Sequence, residues 1–169
     1  DLHKLALTDE LTQIANRRCF VDSVESELSR CKRNDGFVTM LLLDLDHFKE
    51  VNDTFGHAAE DLVLKHVAKV LKNALRQYDI LGRIGGEEFA VFLGATDTAT
   101  AKKIASRILL DLEKSMVKYG KQDIRITTSI GMASRGCKVS FEQLYTEADE
   151  ALYRAKEQGR NRLALYVWT

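Results

Sequence analysis

Four carboxylates stand where they could hold metal ions. Glu87 and Glu88 follow Gly85-Gly86 between two short apolar runs, and Asp44 and Asp46 close the run Phe37–Leu45. A glycine pair between strands is a hairpin signal, because both central positions can take positive φ without a Cβ clash. Two acids beside so tight a turn repel each other unless a cation is shared. Side chains alternate along a strand, so Asp44 and Asp46 are expected on one side. Such oxygens suit Mg²⁺. Two ions a few Å apart could hold a triphosphate and activate a hydroxyl for in-line attack. The competing readings are a solvated hairpin tip for the glutamates and a turn cap for the aspartates.

Polar groups that could serve a phosphate or a base lie nearby in sequence. His47 and Phe48 open a short helix whose free N–H groups can meet phosphate, and Lys49 adds a point charge. Asn52 follows one turn later, and His57 and Asp61 share a face of the next helix at i,i+4. A carboxylate and an amide together suit guanine, though each residue is also ordinary helix surface. Lys156 and Arg160, at i,i+4 near the end of the last helix, either meet the helix dipole or reach phosphates. Arg76 and Asp79 read as an i,i+3 ion pair, or as a guanidinium fork and carboxylate around a guanine.

The elements that must position these groups follow from apolar periodicity. Helices are expected over residues 16–33, 56–76, 98–114 and 140–158, with a short helical turn over 47–54. Strands are expected over 37–45, 80–84, 89–93, 124–133 and 163–167. The run 37–45 is almost wholly apolar, as in a strand buried on both faces. Ser140 is the expected N-cap and Gly159 the C′ residue of the last helix. A hairpin mixed with crossover helices points to an α+β fold, one mixed sheet with helices packed on it.

Bulk properties agree with one soluble domain. The 169 residues carry 25 basic and 25 acidic side chains, so no global field recruits nucleic acid or an anionic membrane. Cys19, Cys31 and Cys137 are odd in number and far apart, which reads as reduced thiols. No run is long enough for a membrane span. The absence of an initiator Met suggests a piece excised from a longer protein. Residues 1–8 are expected to end an upstream linker helix, and 9–169 to form the domain.

Taken together the motifs resemble a GGDEF domain, the diguanylate cyclase catalytic module, in its GGEEF form. Asp9-Glu10-Leu11-Thr12 with Asn16-Arg17-Arg18 is similar to the family's opening motif. Asp44-Leu45-Asp46-His47-Phe48-Lys49, then Val51-Asn52-Asp53, Phe55-Gly56-His57 and Asp61 resembles its second block. Gly85 to Phe89 is the signature, and Ala148-Asp149 through Gly159-Arg160-Asn161 resembles the closing motif. Two positions depart from the pattern. Glu60 stands where the family commonly has Gly, and Ala15 where it has Pro.

The resemblance implies a nucleotidyl cyclase or palm-like fold, a central five-stranded mixed sheet flanked by helices with the GGEEF hairpin at the active site. It implies condensation of two GTP into cyclic di-GMP and two pyrophosphates. Asp44, the Leu45 carbonyl, Glu87 and Glu88 would hold two Mg²⁺, with Mn²⁺ as a substitute. Glu87 would assist removal of the 3′-hydroxyl proton, and Lys49 would stabilise the transferring phosphoryl. His47, Phe48, Asn52, His57, Asp61, Gly85, Lys156 and Arg160 would bind GTP. Arg76 and Asp79, with Arg107, would form an inhibitory product site. The implied partners are a second copy of the domain and an upstream sensor, in the bacterial cytoplasm, with no nucleic acid and no direct membrane contact. A non-catalytic cyclic di-GMP receptor acting through Arg76 and Asp79 is the alternative.

Overall fold

The computed structural model describes residues 7–33 and 36–167. The expected upstream helix therefore falls largely outside the described residues. The helices are α1 (Arg17–Cys31), α2 (Phe48–Phe55), α3 (His57–Ala74), α4 (Thr98–Lys114) and α5 (Phe141–Glu157). The strands are β1 (Phe37–Leu45), β2 (Ile80–Arg83), β3 (Glu88–Leu93), β4 (Val117–Tyr119), β5 (Gln122–Ile124), β6 (Thr128–Gly136) and β7 (Leu163–Leu165). β2-β3-β1-β6-β7 form one five-stranded sheet and β4-β5 a separate hairpin. Among the strand pairs of the described residues only β6–β7 is parallel, so the main sheet is mixed.

The strand β1 lies in the middle because it can be buried on both faces. Val38, Met40 and Leu42 pack with Phe20, Val24 and Leu28 of α1 and Leu144 and Ala148 of α5. Leu41, Leu43 and Leu45 pack with Val63 and Val67 of α3 and Ile104 and Ile108 of α4. The alternation gives a three-layer sandwich with α1 and α5 on one face. By the same alternation Asp44 belongs to the α5 face.

Helix α5 approaches the sheet closely. A Cβ on Gly131 of β6 would lie 2.1 Å from the Ala148 carbonyl oxygen and 2.3 Å from the Leu152 nitrogen. Only glycine lets the helix backbone come this near, and that approach brings Asp149 and Lys156 over the end of β1. Side chains start three of the helices. Asn16 accepts from the Cys19 N–H at 2.9 Å, Asp97 from the Thr100 N–H at 2.8 Å, and Ser140 from the Gln143 N–H at 3.1 Å.

The structure corrects several expectations. The strand expected from residue 124 begins at Thr128, and the preceding segment forms the β4–β5 hairpin. Cys31 and Cys137 are paired as a disulfide with Cα atoms 5.5 Å apart, because the end of α1 meets the end of β6; only Cys19 is free. Arg160 is not on α5: that helix stops at Glu157, and Gly159 turns the chain with φ 124°. Arg76 likewise lies beyond α3, which ends at Ala74.

Candidate active site

The carboxylates converge because β1 and β3 run antiparallel with Asp44 opposite Glu88. The Leu45 N–H donates to the Glu87 carbonyl at 3.2 Å and closes the strand ends together. Asp44 is buried and pairs with the Lys156 ammonium from α5. Burial pushes the Glu88 carboxyl above its usual range, and the neighbouring Asp44, Asp149 and Glu87 add to that; only Lys156 opposes it. A half-buried carboxyl with three other carboxylates near it is a place where a divalent cation would be favoured. The donors are all hard oxygens, so the residues fit Mg²⁺. Among the described residues no three such side chains already stand in a ligating cluster.

The hairpin itself differs from the expected one. Neither Gly85 nor Gly86 has positive φ. The turn is wider, with both the Ile84 and the Gly85 N–H directed at the Glu88 carbonyl, at 2.8 and 3.4 Å. Its outward carbonyls are gathered by Arg83, whose Nε donates to Gly85 O at 3.2 Å and Gly86 O at 3.0 Å, and whose Nη2 donates to Gly86 O at 2.8 Å. A Cβ on Gly86 would meet nothing within 4 Å, so the protein's own packing does not require glycine there. Arg83 also reaches Asp9 through Nη1 at 3.2 Å to both carboxylate oxygens. Burial alone would raise the Asp9 carboxyl, but the Thr12 hydroxyl and N–H together with Arg83 hold it below the ordinary value.

Asp46 is taken up by partners other than the hairpin acids. It is buried and accepts from Ser129 Oγ at 2.6 Å, Thr127 Oγ1 at 2.7 Å and the Asn161 N–H at 3.0 Å. Its place on the Asp44 side was legible; its hydroxyl partners, more than 80 residues away in sequence, were not.

The remaining candidates lie around this end of the sheet. His47 has a left-handed backbone, φ 54°, and turns the chain from β1 into α2. Phe48 is buried under the helix start while Lys49 is exposed. Asn52 is half-buried on α2, and His57 and Asp61 are exposed on α3. Glu60 meets the His57 ring at 2.9 Å, so the departure from Gly supplies that imidazole with a carboxylate partner. Ala15 bridges to Gly82, and its carbonyl accepts from the Arg83 N–H at 2.9 Å.

Arg76 and Asp79 form the expected pair. The guanidinium donates to Asp79 at 2.9, 3.0 and 3.2 Å and to Thr96 Oγ1 at 2.6 Å, and it stacks on the Tyr78 ring at 4.8 Å. The Asp79 bond raises the Arg76 pKa above an already high value, so its charge is permanent. A cavity of about 330 Å³ lined by Arg76, Gln77, Asp79, Ile14 and Leu81 opens there. Arg107 donates instead to the Ala74 carbonyl at the end of α3. A second cavity of about 420 Å³, lined by Arg30, Cys31, Tyr78, Phe92 and Cys137, lies at the other end of β1 and holds none of the candidate residues.

This arrangement has relatives. The model of the family described as "Diguanylate cyclase, GGDEF domain" matches residues 6–162. The chain belongs to the GGDEF family. It is 39% identical over 163 residues to diguanylate cyclase DgcP of Pseudomonas aeruginosa, covering 96% of this chain and 24% of that protein. It is 40% identical over 161 residues to the response regulator PleD of Caulobacter vibrioides, covering 94% of this chain and 36% of that protein. The GGDEF domain thus spans about a quarter to a third of these curated relatives. Among solved structures, the coiled coil and GGDEF domain of DgcB from Caulobacter crescentus, in complex with c-di-GMP, superposes with a TM-score of 0.91 at 30% identity, covering 97% of this chain and 87% of that one. The active GGEEF domain of a diguanylate cyclase from Vibrio cholerae superposes with a TM-score of 0.85 at 32% identity, covering 93% and 100%.

Proposed function

We propose that this GGDEF domain condenses two GTP molecules into cyclic di-GMP and two pyrophosphates, two domains meeting about a two-fold axis with one GTP on each. The observation that carries the reading is the Asp44–Glu88 cross-strand pair with Glu87 bonded to Leu45 beside it. Asp44, the Leu45 carbonyl, Glu87 and Glu88 would hold two Mg²⁺, or Mn²⁺, which when bound would polarise the phosphate oxygens and ease ionisation of the 3′-hydroxyl.

The chain's own groups do the rest. Asn52 and Asp61, with His57 beside them, read the donor edge of guanine; a carboxylate there would face adenine without matching N–H groups. The N–H groups of His47 and Phe48 receive phosphate, Lys156 and Arg160 hold the β- and γ-phosphates, and Gly85 and Gly86 leave the nucleotide room. Glu87 accepts the 3′-hydroxyl proton of one GTP. That oxygen bonds to the α-phosphorus of the facing GTP, the bond from this phosphorus to pyrophosphate breaks, and Lys49 stabilises the charge that develops. A second identical transfer closes the ring.

Arg76 and Asp79 bind the product beside the 330 Å³ cavity, and Arg107 reaches product held on a second domain, so product holds domains apart. An upstream sensor module controls the encounter, and the domain works in the cytoplasm. Among the described residues no helix is long and apolar enough to cross a membrane. Purified domain, forced to dimerise and given Mg²⁺ and GTP, makes cyclic di-GMP; no product from such a preparation refutes the reading. Glu87→Ala ends synthesis and leaves product binding, whereas a pure receptor would show no synthesis to lose.

A further inference from the structure

One carboxylate joins the turn after β1 to the turn after α5. Asp46 is 5% exposed and directs its oxygens at Ser129 Oγ, Thr127 Oγ1 and the Asn161 N–H, while its own N–H donates to the Thr127 carbonyl at 2.9 Å. The turn it holds has three consecutive residues in the left-handed region: Gly159 at φ 124°, Arg160 at 64° and Asn161 at 47°. Two of the three carry side chains, and such backbone persists only where its surroundings over-determine it. Several bonds anchor it: the Gly159 N–H donates to the Lys156 carbonyl at 3.3 Å, and the Arg160 carbonyl accepts from Arg162 Nε at 3.0 Å. The Arg160 N–H donates to the Ala155 carbonyl at 3.0 Å, the Asn161 amide donates to Glu113 on α4, and the Asn161 N–H donates to Asp46. Among these bonds only the last ties the turn to the strand end that carries Asp44.

We infer that Asp46 is a positioning residue for the triphosphate end of the site. It fixes the Gly159–Asn161 turn, and so Arg160, against the end of β1, and it sits directly before His47 and Phe48. The inference rests on the reading of Lys156 and Arg160 as phosphate partners. The guanine end does not depend on Asp46, because Phe48, Val51 and Ala59 pack α2 and α3 into the core independently. Removing Asp46 should therefore separate the two ends of the nucleotide.

The test is calorimetric binding of 3′-deoxy-GTP, which lacks the attacking hydroxyl, and of GMP, both with Mg²⁺. In the wild-type domain 3′-deoxy-GTP binds the tighter; if the wild type binds neither, the proposed function fails and this inference falls with it. Asp46→Ala weakens 3′-deoxy-GTP at least about tenfold, within the worth of one charge-assisted hydrogen bond, and leaves GMP within about twofold. Asp46→Asn keeps an acceptor for the Asn161 N–H and recovers most of the loss. With a binding wild type, an equal loss for both nucleotides, or no loss, overturns the inference. Should Asp46→Ala fail to fold, Thr127→Val with Ser129→Ala frees the carboxylate of two donors, and the same split is expected; an equal or absent loss there overturns it too.

Discussion

Replacing Arg83 by Met keeps the aliphatic stem and removes every bond that shapes the GGEE turn from outside. The side chain is 17% exposed and its partner Asp9 21%, so the pair is neither a free surface bridge nor fully dry. A hydrogen bond from a charged donor contributes about 1.5–3 kcal/mol when buried. Gly85 and Gly86 are exposed, and their carbonyls can turn to water, so the three bonds to them together contribute nearer the value of one. Asp9 keeps its Thr12 bonds, at 2.6 and 2.9 Å, but loses its counter-charge. The sum is a destabilisation of about 2–3 kcal/mol, read as a lower urea midpoint with unchanged m. A cycle with Asp9→Asn should give a coupling of about 1 kcal/mol. The pH dependence has a definite sign. The Asp9 carboxyl lies below 3.8 in the folded protein, so its contribution is present above that pH and lost as pH falls through the folded value; Arg83→Met shrinks this acid limb. GTP turnover should fall further than stability, because Glu87 follows directly on the turn that loses its shape. A coupling indistinguishable from zero, or full turnover in a variant with a lowered midpoint, would refute the claim that this arginine positions the turn.

Gly131→Ala should cost about 3 kcal/mol or more in chemical denaturation, since the new methyl would lie 2.1 Å from the Ala148 carbonyl oxygen and must push α5 away. His66, hydrogen-bonded to Ser115 Oγ at 2.8 Å, is held below 6.5 by burial and then by Lys69; stability is therefore complete above about that pH and falls as pH drops through the depressed value, a slope that His66→Gln should flatten in midpoints measured between pH 7.5 and 5. Reducing the Cys31–Cys137 bridge, which spans 106 residues, should lower stability by an amount that chain entropy puts at about 5 kcal/mol, read as a lower denaturation midpoint, and Cys31→Ser should be insensitive to dithiothreitol. Arg76→Ala should leave initial GTP turnover intact and relieve inhibition by added cyclic di-GMP, measured as pyrophosphate release.

The parts of this molecule that sequence made legible are those set by neighbours close along the chain. The apolar run of β1 could only be a central strand, and the periodic faces of α1, α3, α4 and α5 could only lie against it. Asp44 and the GGEE turn were found because their types and spacing already conflict with burial and repulsion. What escaped was set by distant partners or by too few residues. Strands of three residues, such as Val117–Tyr119, show no alternation to read. Cys31 and Cys137 carry no spacing signal over 106 residues. Arg160 looked helical because Lys156 lies four residues before it, whereas Gly159 ends the helix through a left-handed turn. Gly85 and Gly86 suggested a tight turn, but Arg83 draws their carbonyls outward and the turn opens.

The distribution of rigidity across the site follows from this pattern. The acids sit on the sheet: Asp44 is 9% exposed on β1, and Glu88 starts β3 in register with it. The cations sit on long stems at helices and turns: Lys49 is exposed on α2, Lys156 is in the last turn of α5 and Arg160 is in the turn beyond it. On the proposed function, oxygens that would fix a small divalent ion need close placement, which strand backbone supplies. Groups that follow a phosphate through transfer would, on the same proposal, need freedom to adjust, and long flexible stems supply it. The loops between are not left loose. Arg83 grips the hairpin by its carbonyls, and Asp46 grips the Gly159–Asn161 turn by its N–H. Both anchors act on backbone, so they fix where a side chain starts while leaving its far end free.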